Sequence, residues 1–344
     1  MRVGKFLLGK ACLVALAVTA FTGAAEAESL KMATIAPGSS AYLTMSTMAT
    51  LVNQGQEDYD ITVDATGAAT RHMISLAEGE LDFAMTSPTI YRFLSEGTRM
   101  YQKLERAPEL AEELRLVFWF PYGAYHVLTY AESGITSLED LRGKTVFLGP
   151  PGGGAWATAQ KWIEAQTGLK PEEDFENFNG SWSSAFQAFQ DRQIDVYVNG
   201  GIAPFPQVEQ LTATSQIRLL GPTKSEVETM EESKLAPARV PGRKLDAIPV
   251  AVYGDGVVNE EDVYTINSIV GVATRADLEE ETVYKVAKAF WEGVEAMQAS
   301  APWLENITLD YAVQDGGLAL HPGAERYYRE IGVSVPEGSA APVN

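Results

Sequence analysis

The sequence predicts an α/β fold in two similar lobes, each a mixed, mostly parallel sheet flanked by helices. Three observations predict it. Short apolar runs alternate with stretches of helical spacing, as in parallel strands joined by crossover helices. A helix, a polar turn, a Leu-Asp or Ile-Asp pair, a strand and a loop follow one another once in each half. Gly79-Glu80-Leu81-Asp82 precedes an apolar run at 83–86, and Gln193-Ile194-Asp195 precedes one at 196–198. Finally, 344 residues are too many for one ordinary domain and suit two.

Residues 1–27 are set apart from the fold. Arg2, Lys5 and Lys10 give a positive start, an apolar stretch follows, and Ala25-Glu26-Ala27 fits a cleavage site with the cut after Ala27. That is the pattern of a secretory signal peptide. Its unbroken apolar run is shorter than the roughly 18 residues of a membrane span. The single cysteine, Cys12, lies inside it, so the remaining chain is expected to hold no disulfide, thiol nucleophile or cysteine metal site. With 46 acidic against 26 basic residues the formal charge is −20. Such a surface repels nucleic acid and anionic membrane, and an anionic ligand needs a local positive site to overcome it.

The elements follow in order. Apolar residues at 30–35 predict a strand, the turn Pro37-Gly38-Ser39-Ser40 ends it, and Tyr42, Met45, Met48, Ala49 and Val52 mark a helix with Ser39 or Ser40 as its cap. A second strand–loop–helix covers 60–65, Thr66-Gly67-Ala68 and 71–78, and a strand at 83–86 leaves through Ser87-Pro88. Two strands are expected at 116–120 and 127–130, then a short helix ending at Gly143. The strand at 146–148 runs into Pro150-Pro151-Gly152-Gly153-Gly154, and the helix 156–166 stops at Gly168. A helix at 183–191 and a strand at 196–198 lead to Asn199-Gly200-Gly201, read as a loop. A strand at 269–273, a long helix at 278–297 with one apolar stripe, and a helix at 324–330 close the fold. The tail at 337–344 is expected to be disordered.

Three loops, 37–42, 66–72 and 150–156, each follow a strand and open a helix. Free N–H groups at a helix start attract oxygen anions, and glycine lets a ligand approach the backbone. Any one of them alone is an ordinary strand-to-helix turn; several converging would bind a small carboxylate. Arg71 is the fixed positive charge in these loops, and arginine forks onto carboxylates. The glycines at 152–154 are not followed by Gly-Lys-Ser/Thr, which excludes a P-loop. His72, His126 and His321 share no metal-ligand spacing, and no Gly-x-Ser-x-Gly elbow occurs. No catalytic constellation, cofactor or metal site is expected.

Four stretches together resemble the TAXI family of receptors for TRAP transporters. They are Ala36-Pro37-Gly38-Ser39-Ser40-Ala41-Tyr42; Ala65-Thr66-Gly67-Ala68 with Gly79-Glu80-Leu81-Asp82; residues 146–154; and His321-Pro322-Gly323-Ala324-Glu325-Arg326-Tyr327-Tyr328. The resemblance implies a type II-like periplasmic binding protein with crossing strands as its hinge. It implies lobe 1 at 28–128 and 268–336, lobe 2 at 129–267, and ligand in the cleft between them. It implies an organic anion, a dicarboxylate or amino-acid-like molecule, passed from the periplasm to a TRAP-type permease, with no nucleic acid partner and no membrane insertion. Carried over by position, Ser39, Ser40, Tyr42, Thr66, Gly67, Ala68 and Ser87 line the cleft from one lobe. Gly152, Gly153, Gly154 and Trp156 line it from the other, with Asn199 and Gly200 toward the hinge. The sequence departs from the family at Ala68–His72 in numbers 68–72, at Ser87 and at Trp156; Arg71 would suit a second carboxylate and Trp156 a flat apolar portion. A soluble sensor subunit of the same fold, and an exported α/β enzyme, are the rival expectations.

Overall fold

Strand β4, Leu114–Tyr130, is 17 residues long and buried along nearly all of it, as its apolar run dictates. The computed structural model describes residues 27–298 and 301–342. The expected signal peptide and Cys12 lie outside the described residues. The strands before β4 are β1 Glu28–Ala33, β2 Tyr59–Asp64 and β3 Phe83–Thr86. Those after it are β5 Thr145–Phe147, β6 Glu176–Asn177, β7 Val196–Gly201, β8 Ile217–Leu219, β9 Arg243–Ile248 and β10 Val263–Arg275. They form one sheet in the order β2-β1-β3-β10-β4-β7-β5-β6, with β8 on β4 and β9 on β10.

Pairing is parallel within each half, β1 with β2 and β3, and β5 with β6 and β7. It is antiparallel where β4 and β10 join. Those two strands belong to both halves. The first part of β4 pairs with the last part of β10, beside β3. The last part of β4 pairs with β7 and β8, and the first part of β10 with β9. The result is the two-lobed mixed α/β architecture that the sequence predicts, with crossing strands between the lobes.

Helices cover the sheet: α1 Ser40–Gly55, α2 Ala69–Ala77, α3 Pro88–Ser95, α4 Ala107–Glu112, α5 Gly154–Thr167 and α6 Trp182–Gln190. There follow α7 Pro206–Thr212, the short α8 Lys224–Glu228 and α9 Glu232–Leu235, the long α10 Glu280–Met297, α11 Leu309–Ala312 and α12 Pro322–Glu330. No helix among the described residues is long and apolar enough to cross a membrane. Strand β5 shows how the layers share the core. Val146 joins the larger apolar cluster and Phe147 the smaller one, since successive side chains point to opposite faces. Phe147 stacks on Tyr197, which also meets Phe186 and Phe189.

Four expectations change. The two strands expected at 116–120 and 127–130 are one. Pro121 and Gly123 read as a break but form a bulge: Ser268 faces Gly123 and Ile269 faces Pro121, leaving Tyr122 as the extra residue. Gly123 has φ +104°, and a Cβ there would fall 2.2 Å from the Gly201 carbonyl carbon, so the bulge demands glycine. Asn199-Gly200-Gly201 is not a loop but the end of β7, opposite Ala124, Tyr125 and His126. A Cβ on Gly200 would lie 2.1 Å from the Tyr122 ring, so these glycines serve packing across strands. The short helix before Gly143 is a 3-10 turn, Leu138–Leu141, held by a Ser137–Asp140 capping box. The tail is ordered at 337–339, where Ser339 is buried and its carbonyl accepts from the Leu320 N–H.

His126, fully buried in β4, lies 2.9 Å from the Ala124 carbonyl through Nδ1 and 2.8 Å from the Tyr253 hydroxyl through Nε2. A carbonyl only accepts, so Nδ1 carries the proton and Nε2 accepts from Tyr253. The same hydroxyl accepts from the Phe205 N–H at 2.9 Å. Burial pulls the His126 pKa down to about 4, against the pull of the Ala124 carbonyl.

Two outcomes follow. Gly123→Ala should lower stability by about 2 kcal/mol or more, seen as a fall in the urea midpoint. Between pH 6.5 and about 4 the unfolded chain binds a proton on residue 126 that the folded chain refuses. Stability should therefore fall with pH across that window, by up to about 3 kcal/mol for this histidine. His321 is held down by burial to about 4 as well, so His126→Gln should reduce that slope without abolishing it in urea titrations at pH 7, 6 and 5.

Candidate functional site

A cavity of about 540 Å³ opens between the two halves. The first half contributes Ile35 and Ala36 after β1, residues 67–71 at the start of α2, and Met85 with residues 87–90 where β3 enters α3. The second half contributes Pro150, Pro151 and residues 153–155 where β5 enters α5, then Thr158, Ser181 and Trp182. The crossing strands supply Tyr122, Tyr125 and residues 268–270, and the turn before β9 supplies residues 241–243.

Four helices begin at this cavity. Ser87 caps α3 and Ser181 caps α6, each accepting from an N–H three residues on. The caps of α2 and α5 are Ala68 and Gly153, which offer no side-chain acceptor and leave first-turn N–H groups free. The positive ends of four backbone dipoles thus face one space.

Arg243 sits at its centre of polarity. Nη2 donates to Thr89 Oγ1 at 2.8 Å and Thr158 Oγ1 at 2.6 Å. Thr89 lies on α3 of one half and Thr158 on α5 of the other, so one guanidinium ties both. No carboxylate among the described residues forms an ion pair with it. Burial draws its pKa below the ordinary arginine range, Tyr125 opposes that, and Arg92 adds to it; a guanidinium stays charged regardless. Tyr125, beside Thr158 and Ser268, is pushed up by burial and pulled back by Arg243, so its hydroxyl stays protonated. Of the described residues lining the cavity, Arg243 and Arg71 alone carry charge.

The Gly67 loop is fixed from behind. Thr66 donates its N–H and hydroxyl to Asp64 Oδ1 at 2.8 and 2.7 Å. His72 Nε2 meets the Thr66 carbonyl at 2.7 Å, which makes it the protonated nitrogen. Burial lowers the His72 pKa, while the Thr66 carbonyl and Asp64 raise it. Among the described residues no three His, Cys, Asp or Glu cluster to hold a metal.

The NMT1-like family matches residues 32–332 of this sequence. The chain belongs to the NMT1-like family. Solved structures share its fold at low identity. The alkanesulfonate-binding protein SsuA from Xanthomonas axonopodis pv. citri, bound to MOPS, is 17% identical with a TM-score of 0.50, over 93% of this chain and 89% of that one. A structure described as a periplasmic transporter is 14% identical with a TM-score of 0.55, over 90% and 94%. A protein from Bordetella bronchiseptica RB50 is 12% identical with a TM-score of 0.51, over 92% and 86%. The fold is that of periplasmic solute-binding proteins.

In this NMT1-like chain the cavity wall gathers six of the expected site residues: Gly67, Ala68, Arg71, Ser87, Gly153 and Gly154. The other eight lie outside it. The Ser39 hydroxyl is used as the cap of α1, accepting from the Tyr42 N–H at 3.1 Å and donating to the Ala36 carbonyl, and Ser40 and Tyr42 continue into that helix. Thr66 faces Asp64. Gly152 makes the turn ahead of the wall with φ +74°. Trp156 donates its indole N–H to Asn177 Oδ1 at 3.2 Å. Asn199 accepts from the Tyr122 hydroxyl and donates to Gln207 Oε1, and Gly200 carries the Tyr122 ring.

Sequence reasoning missed Arg243, Tyr125, Thr89, Thr158 and Trp182. Pro241-Gly242-Arg243 does show a turn before a strand, but it opens no helix and so fell outside the strand–loop–helix pattern. Gly242 has φ +74°, and a Cβ there would lie 2.5 Å from Pro88 Cγ, so glycine lets this turn press against α3.

The halves also meet directly at Gly154, where a Cβ would sit 3.1 Å from Ile90 Cγ1 and 3.3 Å from Ser87 Oγ. Gly154→Leu should wedge them apart. The expected result is a larger radius of gyration in small-angle scattering, with a thermal midpoint close to that of the parent.

Proposed function

We propose that this chain is an extracytoplasmic receptor that captures a small organic anion between its lobes and delivers it to a membrane transporter. The observation that carries this is Arg243, a largely buried guanidinium with no carboxylate partner among the described residues, in a cavity without an acidic lining residue, on a chain of formal charge −20. A buried charge without a counter-ion is costly, and an anion removes that cost. The uncapped starts of α2 and α5 favour the same charge. Nothing about the global field would draw an anion here; the local groups must do it.

Closure follows from the same contacts. Arg243 holds Thr89 and Thr158 from opposite halves, and an anion on it is complete only when both are near. Ligand therefore favours the closed arrangement over the open one. We take residues 28–128 with 268–336 as one lobe and 129–267 as the other.

The wall offers no His, Cys, Asp, Glu or Lys, so no base stands ready to activate Ser87, Ser181 or Ser268 as a nucleophile. That supports capture rather than catalysis. The four TAXI-like stretches support a TRAP-type permease as the partner and the periplasm as the place. Of the two ligand types expected, the amino-acid-like one fits poorly. Its ammonium group would have no carboxylate in the wall.

Native mass spectrometry of the purified protein should identify the co-purified anion, and calorimetry on stripped protein its Kd. Arg243→Gln should raise that Kd about 100-fold, near 3 kcal/mol. Arg71→Ala, at an exposed position, should raise it less than about tenfold. An unchanged Kd in Arg243→Gln removes the anion site from this cavity.

A further inference from the structure

We infer that the ligand is an amphiphilic monoanion, with one carboxylate or sulfonate head on Arg243 and an uncharged apolar body filling the rest of the cavity. This rests on the receptor function proposed above and narrows its substrate class.

Apart from the first-turn N–H groups of α2 and α5, most of the wall's polar side chains already have partners. The Ser87 and Ser181 hydroxyls accept from helix N–H groups, and that of Tyr122 is spent on Asn199. Tyr125 and Ser268 stand with Thr158 beside Arg243. Thr89 and Thr158 themselves hold the guanidinium. The other cation, Arg71, is exposed, where a second carboxylate would gain little in water. Apolar surface in the wall comes from Ile35, Met85, Ile90, Pro150, the Tyr122 ring and Trp182. The indole of Trp182 is fixed edge-on to Phe147, with ring centres 5.3 Å apart. It offers a flat wall to a chain or ring.

Size agrees with this division. A volume of about 540 Å³ has room for roughly 18 groups the size of water, at about 30 Å³ each. One oxyanion head uses a small part of that. An ammonium in the wall, or a second carboxylate beyond the α2 and α5 first turns, would be desolvated without a partner, whereas methylene or aryl groups would leave water for apolar contact.

The test is calorimetry with two homologous series, the straight-chain alkanoates and alkanesulfonates from three to eight carbons, and the dicarboxylates of matching length. Each added methylene is expected to tighten monoanion binding about fourfold, the factor set by apolar transfer. The eight-carbon dicarboxylate should bind at least 100-fold more weakly than octanoate. Which head, carboxylate or sulfonate, binds tighter identifies the natural group. Trp182→Ala should flatten the chain-length dependence and leave the three-carbon members unchanged; if that variant does not fold, the series on the parent protein decides alone. Dicarboxylates as tight as monoanions, or affinity independent of chain length, overturn this inference and leave the anion receptor standing. Binding of uncharged octanamide as tight as octanoate overturns both. Failure of every member of both series to bind overturns the inference too.

Discussion

The antiparallel pairing of β4 with β10 is the constraint on which the molecule depends. Each strand passes from one half of the sheet into the other, and their shared register runs from Leu114 opposite Arg275 to Ala124 opposite Asn267. Backbone N–H and C=O groups buried at that depth must be paired, so neither strand can shift without breaking a ladder in both halves. The register slips twice, at Tyr122 and at Val117, and the first slip falls at a residue of the cavity wall. A strand that must be continuous to hold two lobes together also carries the extra residue whose ring packs over Gly200.

Charge is arranged with similar economy. The chain carries a large excess of acid, yet no acidic group among the described residues lines the cavity, and the buried one of its two guanidiniums is held by two hydroxyls from opposite halves. Neutral hydroxyls fix its position without cancelling it. A carboxylate in either threonine's place would pair with Arg243 permanently and leave nothing for a ligand to offset.

Most of the architecture was legible in the residues because it rests on local patterns. The cap at Ser39, the stop at Gly168 and the strand at 83–86 lie where spacing and turn chemistry put them. What misled was glycine and proline inside β4 and β7. There they mark bulges and ring packing between strands far apart in sequence, and local punctuation carries no trace of that. The site was half legible for the same reason. Gly67, Gly153 and Ser87 sit in strand-to-helix turns that announce themselves. Arg243 reaches the cavity from a turn leading into a strand, and its partners Thr89 and Thr158 are ordinary helix residues until the halves are brought together. Trp156 and Trp182 exchange roles: the first bonds Asn177 and does not line the cavity, and the second does.

Strand order has a consequence for how such a chain is made. β10 lies between β3 and β4, although more than a hundred residues separate it from either in sequence. Until residue 275 has been synthesised, β3 and β4 each present an edge that β10 later fills, with a row of open backbone donors and acceptors. Non-local closure of this kind is slow, and the open edges invite association with other chains. A ribosome-bound fragment therefore cannot lock into the native lobe before β10 has been made.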